Sequence, residues 1–64
     1  MNNIDWEQLR KDLINFYEGG FYVGGFGVAA MKAEEIKTAS NEELLQEANE
    51  LGVNLENYTI WQRN

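Results

Sequence analysis

The chain contains no cysteine, no histidine and no proline in its 64 residues. Without cysteine it can form no disulfide and no thiolate metal site, and without histidine it lacks the commonest catalytic base. Small domains usually supplement a modest core with a disulfide, a metal or self-association. Helix packing and self-association are therefore the means of stabilisation left to this chain, and the lack of cysteine fits a reducing cytosol.

Basic residues are scarce, because five Lys and Arg stand against eleven Asp and Glu and give a net charge of -6. Affinity for the phosphate backbone of nucleic acid comes from clustered basic residues, so the composition disfavours a nucleic-acid partner. The first residues lack the basic and apolar regions of a secretory signal. The longest apolar stretch, residues 21–31, is too short and too rich in glycine to span a bilayer. We expect a cytoplasmic protein that does not bind membranes.

Apolar residues are plentiful, at 44% of the chain with three Phe, three Tyr and two Trp. This content is far above that of disordered segments, so it predicts a packed core. The sequence shows no repeat, linker or low-complexity tract. Residues 1–64 are therefore expected to form a single small domain.

The first predicted helix runs from about Trp6 to Glu18. Asp5 lies three positions before Gln8, as in a capping box, and Gly19 and Gly20 supply the end of the helix. The apolar side of this helix consists of Trp6, Leu9, Leu13, Ile14, Phe16 and Tyr17.

The next segment, residues 19–31, contains five of the six glycines. We interpret it as a turn followed by a glycine-weakened helix from about Gly24 to Ile36, with a short break near Lys32 or Ala33. A strand at 21–23 is the competing interpretation, although the sequence offers no obvious second strand to pair with it.

Ser40 and Glu43 have the spacing of a capping box and predict a third helix over residues 41–51, closed by Gly52. Val53 is expected to make the apolar contact that follows a glycine C-cap. The buried stripe of this helix is predicted to be Leu44, Ala48 and Leu51, with Leu45 at its edge.

Beyond the third helix, Asn54 is expected to cap one last turn that carries Leu55 and Tyr58. Residues 59–64 are expected to form a loose tail, although Ile60 and Trp61 could dock on the core. The predicted fold class is all-α, a small bundle of about three helices with a glycine-rich connection after the first helix.

Two patterns suggest ligand sites but lack the required context. Gly25, Gly27 and Ala30 match the G-x-G-x-x-A of dinucleotide-binding loops, which requires a strand-helix-strand unit that this sequence does not predict. The row of Glu43, Glu47 and Glu50 has the spacing of a solvated helix flank and no oxygen-rich calcium loop accompanies it. We therefore expect no cofactor and no metal.

Nucleophiles are equally few, because the aliphatic hydroxyls belong to Thr38, Ser40 and Thr59 and Ser40 is accounted for as a helix cap. We expect no enzymatic activity. Arg10 falls within the apolar side of the first helix. Its stem is expected to lie along the apolar surface with the charge in water, or its guanidinium to contact an aromatic ring or an acid.

Two extended patterns carry a resemblance. D-W-x-x-L-R-K-D-L-I-x-F-Y spans residues 5–17, and A-S-x-E-E-L-x-x-x-A-x-x-x-G-x-x-L-x-x-Y spans residues 39–58. With Ala30-Met31, these patterns resemble a group of short hypothetical proteins from Firmicutes. The resemblance covers most of the chain and implies a shared fold, because its motifs are helix caps and core positions; it transfers no activity. The second pattern alone is also similar to the helical leader domain of Nif11-type peptide precursors.

The leading functional hypothesis is a small intracellular bacterial protein that binds a protein partner, or a second copy of itself, through an apolar face. The residues expected at that surface are Phe21, Tyr22, Phe26 and Trp61. One alternative is an acidic, phage-type inhibitor whose carboxylates imitate nucleic-acid phosphates. Another is the precursor of an exported peptide, with a double-glycine leader ending at Gly19-Gly20.

Overall fold

The computed structural model describes residues 2–20 and 22–61, with the side chains of Asn2, Phe26 and Trp61 left aside. The predicted all-α class is confirmed, because three α-helices make up most of the described chain. The elements in order are strand β1 (Asn2–Ile4), helices α1 (Trp6–Glu18), α2 (Phe26–Lys37) and α3 (Asn41–Leu51), a 3-10 turn (Leu55–Tyr58) and strand β2 (Thr59–Trp61).

The predicted bounds of α1 are confirmed. The Asp5 side chain accepts a hydrogen bond from the Gln8 backbone N–H at 3.1 Å, which satisfies one free donor of the first turn. The Gln8 side chain donates instead to Asp12, so the cap is one-sided and is not a full capping box. The helix ends where the Gly19 N–H bonds to the Asn15 carbonyl at 2.7 Å.

Helix α2 begins at Phe26 and ends at Lys37, slightly later at both ends than predicted. The expected break near Lys32 or Ala33 is wrong, because the helix is continuous there. Alanine and lysine are good helix formers and Ala33 is buried, so nothing interrupts the helix at these positions. Tyr22 and Val23 lie outside any strand, so the competing strand interpretation does not hold for them.

Helix α3 has the predicted bounds and the predicted caps. The Ser40 hydroxyl accepts from the Glu43 backbone N–H at 3.2 Å, and the Glu43 carboxylate accepts from the Ser40 N–H at 3.1 Å. This is a complete capping box. At the other end Gly52 has φ 76°, and the Val53 N–H bonds to the Ala48 carbonyl at 2.9 Å, as in a Schellman motif.

The expectation of a loose tail is wrong for Thr59–Trp61, which forms β2 and pairs antiparallel with β1. Asn3 lies opposite Ile60, and the Asp5 N–H extends the ladder to the Tyr58 carbonyl at 2.6 Å. The predicted Asn54 cap is confirmed, and the 3-10 turn that follows it directs β2 towards the start of the chain. Residues 62–64 lie outside the described part of the chain.

The core is small and rich in alanine. Helix α1 contributes three large members, and α2 packs against α1 through Ala29, Ala33 and Ile36. Small side chains let the two helices approach closely, but they bury little apolar area each. The buried residues are Leu9, Leu13, Tyr17, Ala29, Ala33, Ile36, Ala39, Leu44 and Ala48.

We predict that Ser40→Ala costs about 1 kcal/mol of stability, because the first turn of α3 loses its cap. The hydrogen bonds from the Ser40 backbone and hydroxyl lower the pKa of Glu43. A lowered pKa in the folded state gives stability that is present above the ordinary pKa of glutamate and is lost as the pH falls through the folded value.

Ser40→Ala should therefore also make the free energy of unfolding less dependent on pH over the range in which Glu43 titrates. Urea unfolding at a series of acidic pH values measures both effects, with Thr38→Ala as an exposed control outside the capping box. An unchanged unfolding midpoint at neutral pH would contradict the role of Ser40 as a cap.

Candidate interaction surface

Of the four residues predicted at an interaction surface, Tyr22 is the one whose side chain belongs to the described part of the chain. Phe21 lies outside the described residues. Phe26 opens α2 and Trp61 ends β2, but their side chains also lie outside the described part. Tyr22 is half-buried, with its ring edge-on to the ring of Tyr17 at a centroid distance of 5.0 Å. The described side chain of this set thus packs towards the core.

Among the described side chains of this region, the large apolar ones that are exposed are Val23, Val28 and Met31, at 96%, 39% and 55%. Val23 lies in the turn before α2, and the other two lie on the helix itself. We define the outer α2 face as Gly27, Val28, Met31 and Glu34, all exposed and on the side of the helix opposite its buried residues.

Of the three described residues that α2 buries, two are alanines, while two larger apolar residues of the same helix are exposed. Ala29 and Ala33 face the core, while Val28 and Met31 face solvent. The sequence did not reveal this arrangement, because the first turns of α2 are apolar on every side and do not indicate which side is buried. The spacing of Ala29, Ala33 and Ile36 is the signal that could have found it, since these residues repeat at helical intervals.

Gly27 lies on this face, although the fold does not require a glycine at this position. A Cβ built at Gly27 meets nothing within 4 Å, and the residue has ordinary helical geometry. Alanine at such a position stabilises a protein by about 0.4–1 kcal/mol. Gly24 differs, because a Cβ there would collide with the ring of Tyr22.

A polar cluster joins the three helices. The Tyr17 hydroxyl donates to the Glu47 carboxylate at 2.5 Å, and the Lys32 ammonium lies 3.5 Å from the same oxygen. Burial, followed by the hydrogen bond to Glu47, raises the pKa of Tyr17, and the charge of Glu47 raises the pKa of Lys32. Both groups therefore keep their protons at neutral pH, and neither can act as a base there.

Two further polar contacts attach other elements to α1. The Tyr58 hydroxyl donates to Asp12 at 2.5 Å, and this bond together with burial raises the pKa of Tyr58 to about 12. The Arg10 guanidinium donates to the Ile36 carbonyl at 2.5 Å. A cation at the carboxyl end of a helix is favourable, so Arg10 acts as a cap for α2, a role that differs from both sequence expectations.

Two clefts accompany these contacts. One has a volume of about 420 Å³, lies under the glycine-rich turn and includes Tyr17, Glu18, Tyr22 and Ala29 in its lining. The other has a volume of about 210 Å³, lies between α2 and α3 and carries four carboxylates. These belong to Glu35, Glu43, Glu47 and Glu50.

We predict that Tyr58→Phe costs about 1 kcal/mol at neutral pH, because the bond to Asp12 is lost. The raised pKa of Tyr58 gives stability that is fully present below about pH 10, the ordinary pKa of tyrosine, and is lost as the pH rises through about 12. Urea unfolding at a series of alkaline pH values should therefore show a smaller loss of stability for Tyr58→Phe than for the wild type.

The matched control is Tyr22→Phe, since no hydrogen bond joins the Tyr22 hydroxyl to a carboxylate in the described part of the chain. This control should keep the alkaline loss of the wild type. If Tyr58→Phe shows the same alkaline loss as the control, the bond to Asp12 does not stabilise the folded state.

Within residues 2–20 and 22–61, no helix is long and apolar enough to cross a membrane. Over the same ranges, no three acidic side chains are arranged to hold a metal ion. No protein-family model matches the chain, no curated protein matches its sequence and no solved structure matches its fold.

Proposed function

We propose that this protein is a small cytoplasmic bacterial protein without catalytic activity, which binds another protein through its outer α2 face. The observation that carries the proposal is the pair of exposed apolar side chains Val28 and Met31, on a helix that buries alanines. Neighbouring exposed apolar side chains with charge at their edge are typical of protein-binding surfaces. The carboxylate of Glu34 supplies that charge at one end of the face.

The polar side chains with shifted pKa values support a binding role over a catalytic one. Shifted groups are the usual candidates for catalysis, but a catalytic group must be able to reach a substrate. The hydroxyls of Tyr17 and Tyr58 are engaged with carboxylates of the same chain, and Glu43 is engaged with the first turn of α3. These bonds stabilise the fold and leave no need for a chemical role.

The runner-up function is an acidic inhibitor that imitates nucleic acid. The cleft between α2 and α3 favours it, because four carboxylates line a single depression there. Three features count against it. Glu47 is neutralised by Lys32, Glu43 serves as a cap, and the other acids are distributed over three helices.

The two functions differ in how binding should depend on salt and on particular side chains. We predict that a partner captured on the affinity-tagged chain stays bound at roughly half-molar salt, because exposed ion pairs are strongly screened at that ionic strength while apolar contacts are not. Met31→Glu should weaken binding by more than about 1 kcal/mol, since it places a charge in the centre of the face. Calorimetric titration of the purified partner measures both effects.

The matched control is Ile60→Glu, which makes the same kind of change at a side chain that is 46% exposed on β2. Glu35→Gln and Glu50→Gln test the acidic cleft without touching the cap or the polar cluster. Binding that survives Met31→Glu but is lost with salt or with the two glutamine variants would favour the inhibitor over our proposal.

A further inference from the structure

The outer α2 face is not uniform along the helix. Its first half combines Gly27 with the exposed side chains of Val28 and Met31, and its second half carries the exposed carboxylate of Glu34. Gly27 and Met31 are one helical turn apart on the same side. A recess without a side chain therefore lies next to a protruding, flexible apolar side chain, as in knobs-into-holes packing.

The amino end of α2 is the electropositive counterpart of Glu34. The N-cap residue, Gly25, has φ 96° and makes no side-chain cap bond, and the first turn of α2 contains no acidic residue. The first N–H groups of a helix and its dipole attract a carboxylate. In α1 and α3 this need is met by Asp5 and by the Ser40 hydroxyl. Within the described chain, no side chain meets it in α2.

We propose that two copies of the chain associate through their outer α2 faces in antiparallel orientation, with Met31 of each copy packed on the partner's Gly27. Antiparallel helices have equal rise in opposite directions, so three residues onward in one copy correspond to three residues back in the other. The contact between Met31 and the partner's Gly27 therefore brings Lys32 level with the partner's Phe26, the first residue of α2, and places Glu34 just beyond the uncapped amino end of the partner's helix.

This inference rests on the proposed function and names the partner as a second copy. A second copy fits the outer α2 face because this face is complementary to itself. A two-fold interface requires that a surface present each feature together with its complement. The outer α2 face does so twice, with a protruding Met31 and a recess at Gly27, and with Glu34 and an electropositive helix end. The Lys37 ammonium lies 3.3 Å from the Glu34 carboxylate but is shared with Glu18, and ion pairs this exposed are weak, so the carboxylate remains accessible to a partner. A parallel arrangement would instead place Glu34 against the partner's Glu34, and like charges repel.

Sedimentation equilibrium of the full chain tests the association. We expect twice the monomer mass of 7.4 kDa at high micromolar concentration, and a monomer for Met31→Glu. Ile60→Glu is the control and should remain a dimer. Glu34→Lys should raise the dimer dissociation constant by about tenfold or more, whereas Glu50→Lys, the same charge change on α3, should not. Circular dichroism spectra show whether each variant is folded.

Gly27→Ala separates the two possible roles of this glycine. It should raise the unfolding midpoint of the monomer, because alanine is the better helix former. It should also weaken the dimer, because a methyl group fills the recess for the partner's Met31. A dimer that is as tight as, or tighter than, the wild type would overturn the packing of Met31 on Gly27.

Cross-linking tests the orientation, since the chain has no cysteine of its own. In the proposed register the exposed Glu35 residues of the two copies lie at opposite ends of the paired helices. Glu35→Cys chains should therefore form few disulfide-linked dimers, whereas parallel α2 helices would bring the two cysteines together. Predominant homodimers of Glu35→Cys would overturn the antiparallel arrangement.

The possible failures are distinguishable from one another. A chain that stays monomeric at every concentration overturns the inference of a second copy, while the proposed function stands if Met31→Glu still abolishes binding to a captured partner. A dimer that is unaffected by Met31→Glu overturns the use of the outer α2 face in self-association.

Discussion

Polar side chains of helix α1 hold each of the other helical elements, and the remaining structure depends on these contacts. Arg10 binds the carboxyl end of α2, Tyr17 binds Glu47 of α3, and Asp12 accepts from the 3-10 turn. A core this rich in alanine buries little apolar area, so directional bonds have an unusually large share in fixing how the elements are placed. Bonds to charged groups are also among the stronger hydrogen bonds of a protein.

These contacts also explain why the terminal strands form at all. An isolated pair of three-residue strands has little stability in water. Here the strand β2 directly follows Tyr58, whose hydroxyl is held by Asp12 and whose carbonyl accepts from the Asp5 N–H. The end of α1 that carries Asp5 thus brings both strands to the same place, and their pairing requires little further ordering of the chain.

Local signals were sufficient to predict α1 and α3 to the residue, because their caps act within four positions of sequence. The Ser40 box and the Gly52 end need no knowledge of the fold. The terminal sheet could not be predicted, since strands of three residues show no periodicity and the pairing joins opposite ends of the chain. The role of Arg10 was equally hidden, because its acceptor lies on another helix.

The exposed residues of the interaction surface could not be predicted from local signals either. Aromatic content alone pointed to Tyr22, yet the structure packs that ring against Tyr17 and Phe16. The exposed apolar side chains of α2 were missed, since a segment that is apolar on all sides gives no hydrophobic direction. Which side of such a helix is buried is decided by its neighbour. Close packing against α1 selects the alanines of α2 and leaves Val28 and Met31 outside.

The molecule consequently separates the residues that fix its fold from those available for binding. The side chains that hold the elements together lie between α1 and its neighbours, whereas the outer α2 face makes none of these contacts. Substitutions on that face should therefore be nearly additive with substitutions in the polar contacts, because the two sets share no partners. In the arrangement that we propose, the thin margin of stability of this small domain is not used to hold the binding surface. The amino end of α2, which has no side-chain cap, would receive its missing charge from the partner.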